Sequence, residues 1–117
     1  MDMNEALKAH AEWKVKLRSA ISKKESLDAA KIALDNCCAL GMWLHGESKI
    51  KYGRLKSHGE CVSHHAAFHR AAGAVAKTIN DKKYPEAEAM LGMSTPFANA
   101  STAVAIAIGH LKKEAGL

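Results

Sequence analysis

Apolar and small residues recur at intervals of three and four along most of this chain, which is the spacing of helices that bury one face. No segment shows the strict alternation of apolar and polar residues that half-buried strands need. Aromatic residues make up only 5% of the sequence and there are only two prolines, so little opposes close packing of helices. We therefore predict an all-α protein.

The turn and capping residues divide the sequence into four main helices and one short one. An additional short helix is predicted from Pro85 to Leu91, and Glu47 to Ser57 is predicted to be a connector without regular structure. Short connectors favour an antiparallel four-helix bundle, and 117 residues are a common length for one domain. The main helices are predicted at about Asn4 to Ile21, from Ser26 or Asp28 to Gly46, at about His58 to Asn80, and from Ser94-Thr95-Pro96 onward.

Charge and cysteine content exclude several classes of protein. The formal net charge is +5, but the lysines are scattered, so nucleic-acid binding is not favoured. No apolar run approaches the roughly 20 residues of a membrane span, and the N-terminal residues lack the apolar stretch of a signal peptide. Three cysteines are an odd number, which argues against a disulfide framework. We expect a cytoplasmic protein.

Histidines provide the strongest chemical signal. His65 and His69 are one helical turn apart, on a face predicted to point into the bundle. Buried neutral imidazoles need hydrogen-bond partners or a metal ion. His10 and Cys38 lie on the predicted buried stripes of two other helices. Three imidazoles and one thiolate complete a tetrahedral zinc shell, so we predict one zinc ion in the bundle core, held by these four residues.

The remaining histidines and cysteines are given structural interpretations. Cys37 is predicted to pack, because it points about 100° away from Cys38 on a helix. Cys61 is predicted to be a small buried residue, with a reserve thiol near the site as the alternative. For His45, a hydrogen bond near the site is considered as a less favoured interpretation. The histidines predicted to lie at the surface are His58, His64 and His110.

Three segments carry a resemblance to a known family. They are residues 9–14, 38–47 and 65–72, which contain a histidine, a Cys-x-Leu-Gly-x-Trp motif and an HxxxH pair, respectively. Residues 85–92 also look like the usual ending of the family. The sequence resembles the chemoreceptor zinc-binding domain (CZB) family of bacterial chemotaxis receptors and diguanylate cyclases. His45 departs slightly from the family pattern.

The resemblance implies a fold, a cofactor and a role. The implied fold is a four-helix bundle with zinc in its core, and the implied ligands are again His10, Cys38, His65 and His69. The implied role is a sensory or regulatory domain in chemotaxis or cyclic-di-GMP signalling, which responds to zinc or to oxidants such as hypochlorous acid. The implied partner is a signalling output domain, in a chemoreceptor or a diguanylate cyclase. The resemblance and the alanine-rich helix faces together predict a homodimer.

Two other functions are compatible with a zinc site. A zinc enzyme needs an open coordination position, whereas four protein ligands fill the shell, and the HxxxH pair lacks the glutamate of HExxH hydrolases. We therefore predict that the chain is not an enzyme. A purely structural zinc, which would stabilise a dimerisation module, remains the alternative. The sequence also leaves open whether the chain is a domain of a longer protein or a separate protein.

Overall fold

The computed structural model describes residues 1–117, and every regular element in it is a helix. This confirms the all-α prediction. None of the helices has the length and apolarity needed to cross a membrane. The eight helices are α1 (Met3–Ala11), α2 (Trp13–Lys23), α3 (Ala29–Ile32), α4 (Ala39–His45), α5 (Glu47–Tyr52), α6 (Lys56–Asn80), α7 (Tyr84–Met90) and α8 (Pro96–Ala115).

The helix predicted from Asn4 to Ile21 is present as α1 and α2, with a local break at Glu12. The Glu12 N–H still donates to the Lys8 carbonyl at 3.0 Å, and the Lys16 N–H donates to the Glu12 carbonyl at 3.0 Å. Asp2 begins α1 by accepting hydrogen bonds from two backbone amides of the first turn. The prediction of a single N-terminal helix is therefore nearly correct.

The prediction of one continuous helix up to Gly46 is wrong. Only α3 and α4 are helical there, and residues 33–38 between them are not helical. Asp35 and Asn36 lie in this segment, and both residue types favour turns over helix interiors. The Asp35 carbonyl lies so close to Gly41 that a Cβ atom on this glycine would be 1.7 Å from its oxygen. Only a residue without a side chain lets the segment fold back onto α4.

The prediction of an irregular connector from Glu47 to Ser57 is also wrong, because Glu47–Tyr52 form α5. The Ser48 hydroxyl is buried and donates a hydrogen bond to the Trp43 carbonyl at 2.8 Å. Its oxygen accepts a hydrogen bond from His58 Nε2 at 3.0 Å. His58 is consequently buried rather than at the surface as predicted, and it attaches α5 to the start of α6.

The two longest helices, α6 and α8, form the most extensive helix–helix interface. Glu114, near the end of α8, accepts hydrogen bonds from the backbone and hydroxyl groups of Ser57 in the first turn of α6. Helices α2, α3 and α4 also pack against α6, so α6 has neighbours on several sides. The fully buried side chains include Leu17, Phe68, Ile79, Ile108 and Leu111. Because α6 packs against several helices, His65 and His69 on its buried face point into the protein.

Candidate metal centre

The structure brings the four sequence-predicted ligand residues together. His10 lies in the last turn of α1, Cys38 directly precedes α4, and His65 and His69 lie in the middle of α6. Their potential ligand atoms all lie within 4.8 Å of one another. Three separate parts of the chain therefore contribute donors to one candidate metal site.

Five of the six distances between the donor atoms are close to those expected around a single small ion, and the sixth, between His10 and His69, is at most 4.8 Å. Cys38 Sγ lies 3.3 Å from His65 Nε2, 3.6 Å from His69 Nε2 and 4.0 Å from His10 Nε2. His65 Nε2 lies 3.1 Å from Nε2 of both His10 and His69. Typical zinc bond lengths give tetrahedral edges of about 3.3 Å between two nitrogens and about 3.6 Å between nitrogen and sulfur. The donor set therefore fits zinc in both chemistry and spacing.

Backbone carbonyl groups fix the orientation of two rings. His10 Nδ1 donates to the Ala6 carbonyl at 2.7 Å, and His69 Nδ1 donates to the Ile32 carbonyl at 2.9 Å. A neutral imidazole carries one proton, so both Nε2 atoms present lone pairs to the cluster. Second hydrogen bonds of this kind are typical of histidines that bind metal ions.

His65 is held by packing instead. It is fully buried, its Nδ1 has no hydrogen-bond partner, and its ring makes an edge contact with the His10 ring at 4.9 Å between centroids. Burial, together with the neighbouring His69 and His10, lowers the pKa of His65 to about 3. The ring is therefore neutral at physiological pH, which is the form that binds a metal ion.

Burial also shifts the pKa values of His10 and Cys38. It lowers the pKa of His10, although the hydrogen bond to Ala6 acts in the opposite direction. Burial raises the pKa of the Cys38 thiol, and the backbone N–H groups of Gly41 and Leu40 partly oppose this effect. The Gly41 N–H donates to Cys38 Sγ at 3.3 Å, so the sulfur caps the first turn of α4. A divalent cation in the cluster would favour the thiolate form.

One side of the cluster faces a small cavity. The three histidines are buried, with exposed fractions of 5%, 0% and 2%, whereas Cys38 is only partly buried. Cys38 and His69 both line a cavity of about 160 Å³. Its apolar wall is formed by Trp13, Ile32, Leu34, Cys37 and Cys38, and the polar residues that complete it are Asp28, Lys31 and His69.

The other predictions for histidine and cysteine have mixed outcomes. Cys61 is buried as predicted, and His64 and His110 are exposed as predicted. The packing prediction for Cys37 is wrong, because its segment is not helical and the side chain is exposed.

The less favoured interpretation of His45, a hydrogen bond near the site, is the one observed, although its partner Asp35 was not predicted. His45 Nε2 donates to Asp35 Oδ2 at 2.9 Å and so joins the end of α4 to the segment that leads to Cys38. Asp35 thus supports the position of Cys38 from within the turn. In the sequence, the Asp-Asn pair at 35–36 already indicates that this stretch is not helical.

The fold and the site together define a helical metal-binding protein whose candidate centre has one cysteine and three histidines. The model of the chemoreceptor zinc-binding domain family matches residues 10–76, which are more than half of the chain and include all four clustered residues. The chain therefore belongs to the chemoreceptor zinc-binding domain family. Its cofactor is zinc, and the cluster offers a single site for it. No curated protein and no solved structure matches the chain.

Proposed function

We propose that this chain is a zinc-binding sensory and regulatory domain in bacterial signal transduction, with His10, Cys38, His65 and His69 as the zinc ligands. The observation that carries this proposal is the convergence of their donor atoms within 4.8 Å. When bound, zinc would supply positive charge that stabilises the Cys38 thiolate and joins the three parts of the chain. The proposed architecture is an antiparallel four-helix bundle around this ion.

The proposed signal is a change in zinc occupancy or in the oxidation state of the Cys38 sulfur. Both ends of the non-helical segment 33–38 are attached to ligands. The Ile32 carbonyl accepts a hydrogen bond from the His69 ring, and Cys38 is itself a proposed ligand. Loss of the thiolate, through zinc depletion or an oxidant such as hypochlorous acid, would release this segment from α6. The segment then carries the change to the surface of the domain.

The proposed output is a chemoreceptor or a diguanylate cyclase, and hence chemotaxis or cyclic-di-GMP signalling. The family model that matches residues 10–76 supports this role. A sensory thiolate must stay reduced at rest, which fits the cytoplasm. Four protein donors would leave no position on the ion for a substrate or a reacting water, so we propose a regulatory rather than an enzymatic role.

Metal analysis and chelation test this function. Protein purified without an affinity tag should contain one zinc per chain, because the structure has one complete donor set. After chelation, the far-UV circular dichroism should remain helical, because the apolar core around α6 and α8 does not depend on the ion. Hydrogen exchange should become faster in segment 33–38, where the proposed ligand Cys38 lies.

The exposed His110, replaced by alanine, is the matched control and should keep the full zinc content. Complete unfolding on chelation would favour the structural alternative. A well-folded sample that takes up no zinc at micromolar concentration would contradict the proposal.

We also propose that the domain forms a homodimer. Helix α8 exposes a stripe of small and apolar residues, formed by Thr102, Ala105, Ile106 and Gly109, and Ile106 is 54% exposed. Such a smooth helix surface suits close packing against a second helix. Light scattering should give a dimer mass, and Ile106→Glu should shift it to the monomer. Ala74→Glu, on the exposed side of α6, is the control and should leave the dimer intact. A monomer mass for the wild type at high concentration would contradict this proposal.

A further inference from the structure

We infer that Cys37 is the resolving thiol of the zinc site, which converts oxidised Cys38 into a reversible disulfide between the two neighbouring residues. This inference rests on the proposed function, because it takes Cys38 to be a zinc ligand that oxidants attack. It assigns a role to a cysteine that packing does not explain, since the Cys37 side chain is exposed.

Access and position both favour this pair. Cys37 and Cys38 line the same cavity, so an oxidant that enters it reaches both residues. The Cys37 thiol is held only by a hydrogen bond to the adjacent Asn36 Oδ1 at 3.5 Å. In a helix, neighbouring side chains would diverge by about 100°, but this segment is not helical and the backbone of Cys38 is extended. Helical geometry therefore does not hold the Cys37 and Cys38 side chains apart.

The third cysteine is a poor candidate for this role. Cys61 lies inside α6 with no exposed surface, among the fully buried side chains of the core. Burial raises the pKa of its thiol to about 11, so almost none of it is thiolate at neutral pH. A disulfide between Cys61 and Cys38 would also have to join two separate segments of the chain, whereas Cys37 is already next to Cys38.

The reaction with hypochlorous acid proceeds in two displacements. The Cys38 thiolate attacks chlorine, so that an S–Cl bond forms, the O–Cl bond breaks and hydroxide leaves. The Cys37 sulfur then attacks the Cys38 sulfur, so that an S–S bond forms and chloride leaves. The Cys37 proton joins the hydroxide to give water. The two sulfurs are oxidised together by two electrons and the chlorine is reduced, so no further reactant is required.

The disulfide would allow oxidised Cys38 to return to its reduced state. Consecutive Cα atoms are about 3.8 Å apart across a trans peptide, which is less than the usual separation in disulfides, about 4.4 Å or more. The bond is therefore strained and readily reduced by cellular thiols. While it lasts, the Cys38 sulfur is withdrawn from the zinc cluster. It also prevents further oxidation of Cys38 to the irreversible sulfinic acid.

The experiment uses the zinc-loaded full chain as wild type, Cys37→Ser and Cys61→Ala. Each protein is treated with stoichiometric hypochlorous acid, and zinc release is followed with a metal-binding dye. Mass spectrometry with peptide mapping identifies the products, and zinc rebinding is measured after reduction with a thiol reagent. The wild type and Cys61→Ala should lose the mass of two hydrogens and regain most of their zinc. Cys37→Ser should carry added oxygen on Cys38 and regain at least about fivefold less zinc.

Two results would overturn the inference. One is an equal yield of oxygenated Cys38 in the wild type and in Cys37→Ser, and the other is a disulfide that joins two copies of the chain. Failure of the proposed function has a different signature, because Cys38→Ser would then bind zinc as tightly as the wild type before any oxidant is added. If zinc binding depends on Cys38 but Cys37 can still be alkylated after oxidation, only the present inference fails.

Discussion

Replacing Cys38 with serine should weaken zinc binding by at least about a hundredfold while the protein remains helical. Changes to groups that only support a ligand already weaken metal binding by about 10–100-fold, so the loss of a ligand should have at least this effect. Cys38 would be the only anionic ligand, since the three imidazoles are neutral. A serine hydroxyl is far harder to deprotonate and is a poor match for zinc. The change is nearly isosteric, so the apolar core should be unaffected.

A competition titration with a zinc-binding dye measures this loss, and the other two cysteines provide matched controls. Cys37→Ser should change zinc affinity little, because the side chain is exposed and lies outside the cluster. Cys61→Ser should also keep its affinity, although a hydroxyl in the core should lower the stability of the fold. Loss of zinc in Cys61→Ser but not in Cys38→Ser would require a different site, built around α6.

Replacing Gly41 with alanine should destabilise the fold by about 3 kcal/mol and weaken zinc binding by about 10–100-fold. The added Cβ would lie 1.7 Å from the Asp35 carbonyl oxygen, and neither backbone can yield without moving the other. The turn that ends at Cys38 must therefore shift. This displaces the sulfur that caps α4 through the Gly41 N–H, and with it one corner of the zinc cluster.

Gly59→Ala is the matched control for this prediction. Gly59 lies in α6, and no atom would come within 4 Å of its added Cβ. Alanine should stabilise the helix there by about 0.5–1 kcal/mol and leave zinc binding unchanged. Thermal unfolding of the zinc-free proteins measures the effect on stability. Zinc titration at a temperature below their unfolding midpoints measures the effect on zinc binding. Equal zinc affinity in both variants would show that the position of residues 33–38 does not control the site.

The histidine pair on α6 could be predicted from the sequence for a simple reason. The helix is long and uninterrupted, so the spacing of His65 and His69 translates directly into a shared face. The same holds for α8, whose start is marked by Thr95 as a cap and Pro96 in the first turn. In such segments local preference and packing agree, and elementary periodicity is sufficient.

Cys38 was correctly placed in the cluster but for the wrong structural reason. Periodicity put it on the buried stripe of a continuous helix, whereas the residue is extended and precedes α4. The turn that positions it depends on the close approach of Asp35 to Gly41 and on the pairing of Asp35 with His45. These are tertiary contacts within one short segment, and hydrophobic spacing carries no information about them. The burial of His58 was missed for the same reason, because it depends on the unpredicted helix α5.

The order of the donors along the chain affects how the site can assemble. His65 and His69 are four residues apart in one helix, so they would offer two donors to an ion as soon as that helix forms. The other two donors must close long loops, since His10 and Cys38 are 28 residues apart and Cys38 and His65 are 27 residues apart. Closing either loop has nearly the same entropic penalty, because this penalty grows only with the logarithm of loop length. An ion bound first by the helical pair could thus be joined next by either His10 or Cys38. Its binding would bring the N-terminal half of the chain against α6. The refolding rate is then expected to depend on zinc concentration.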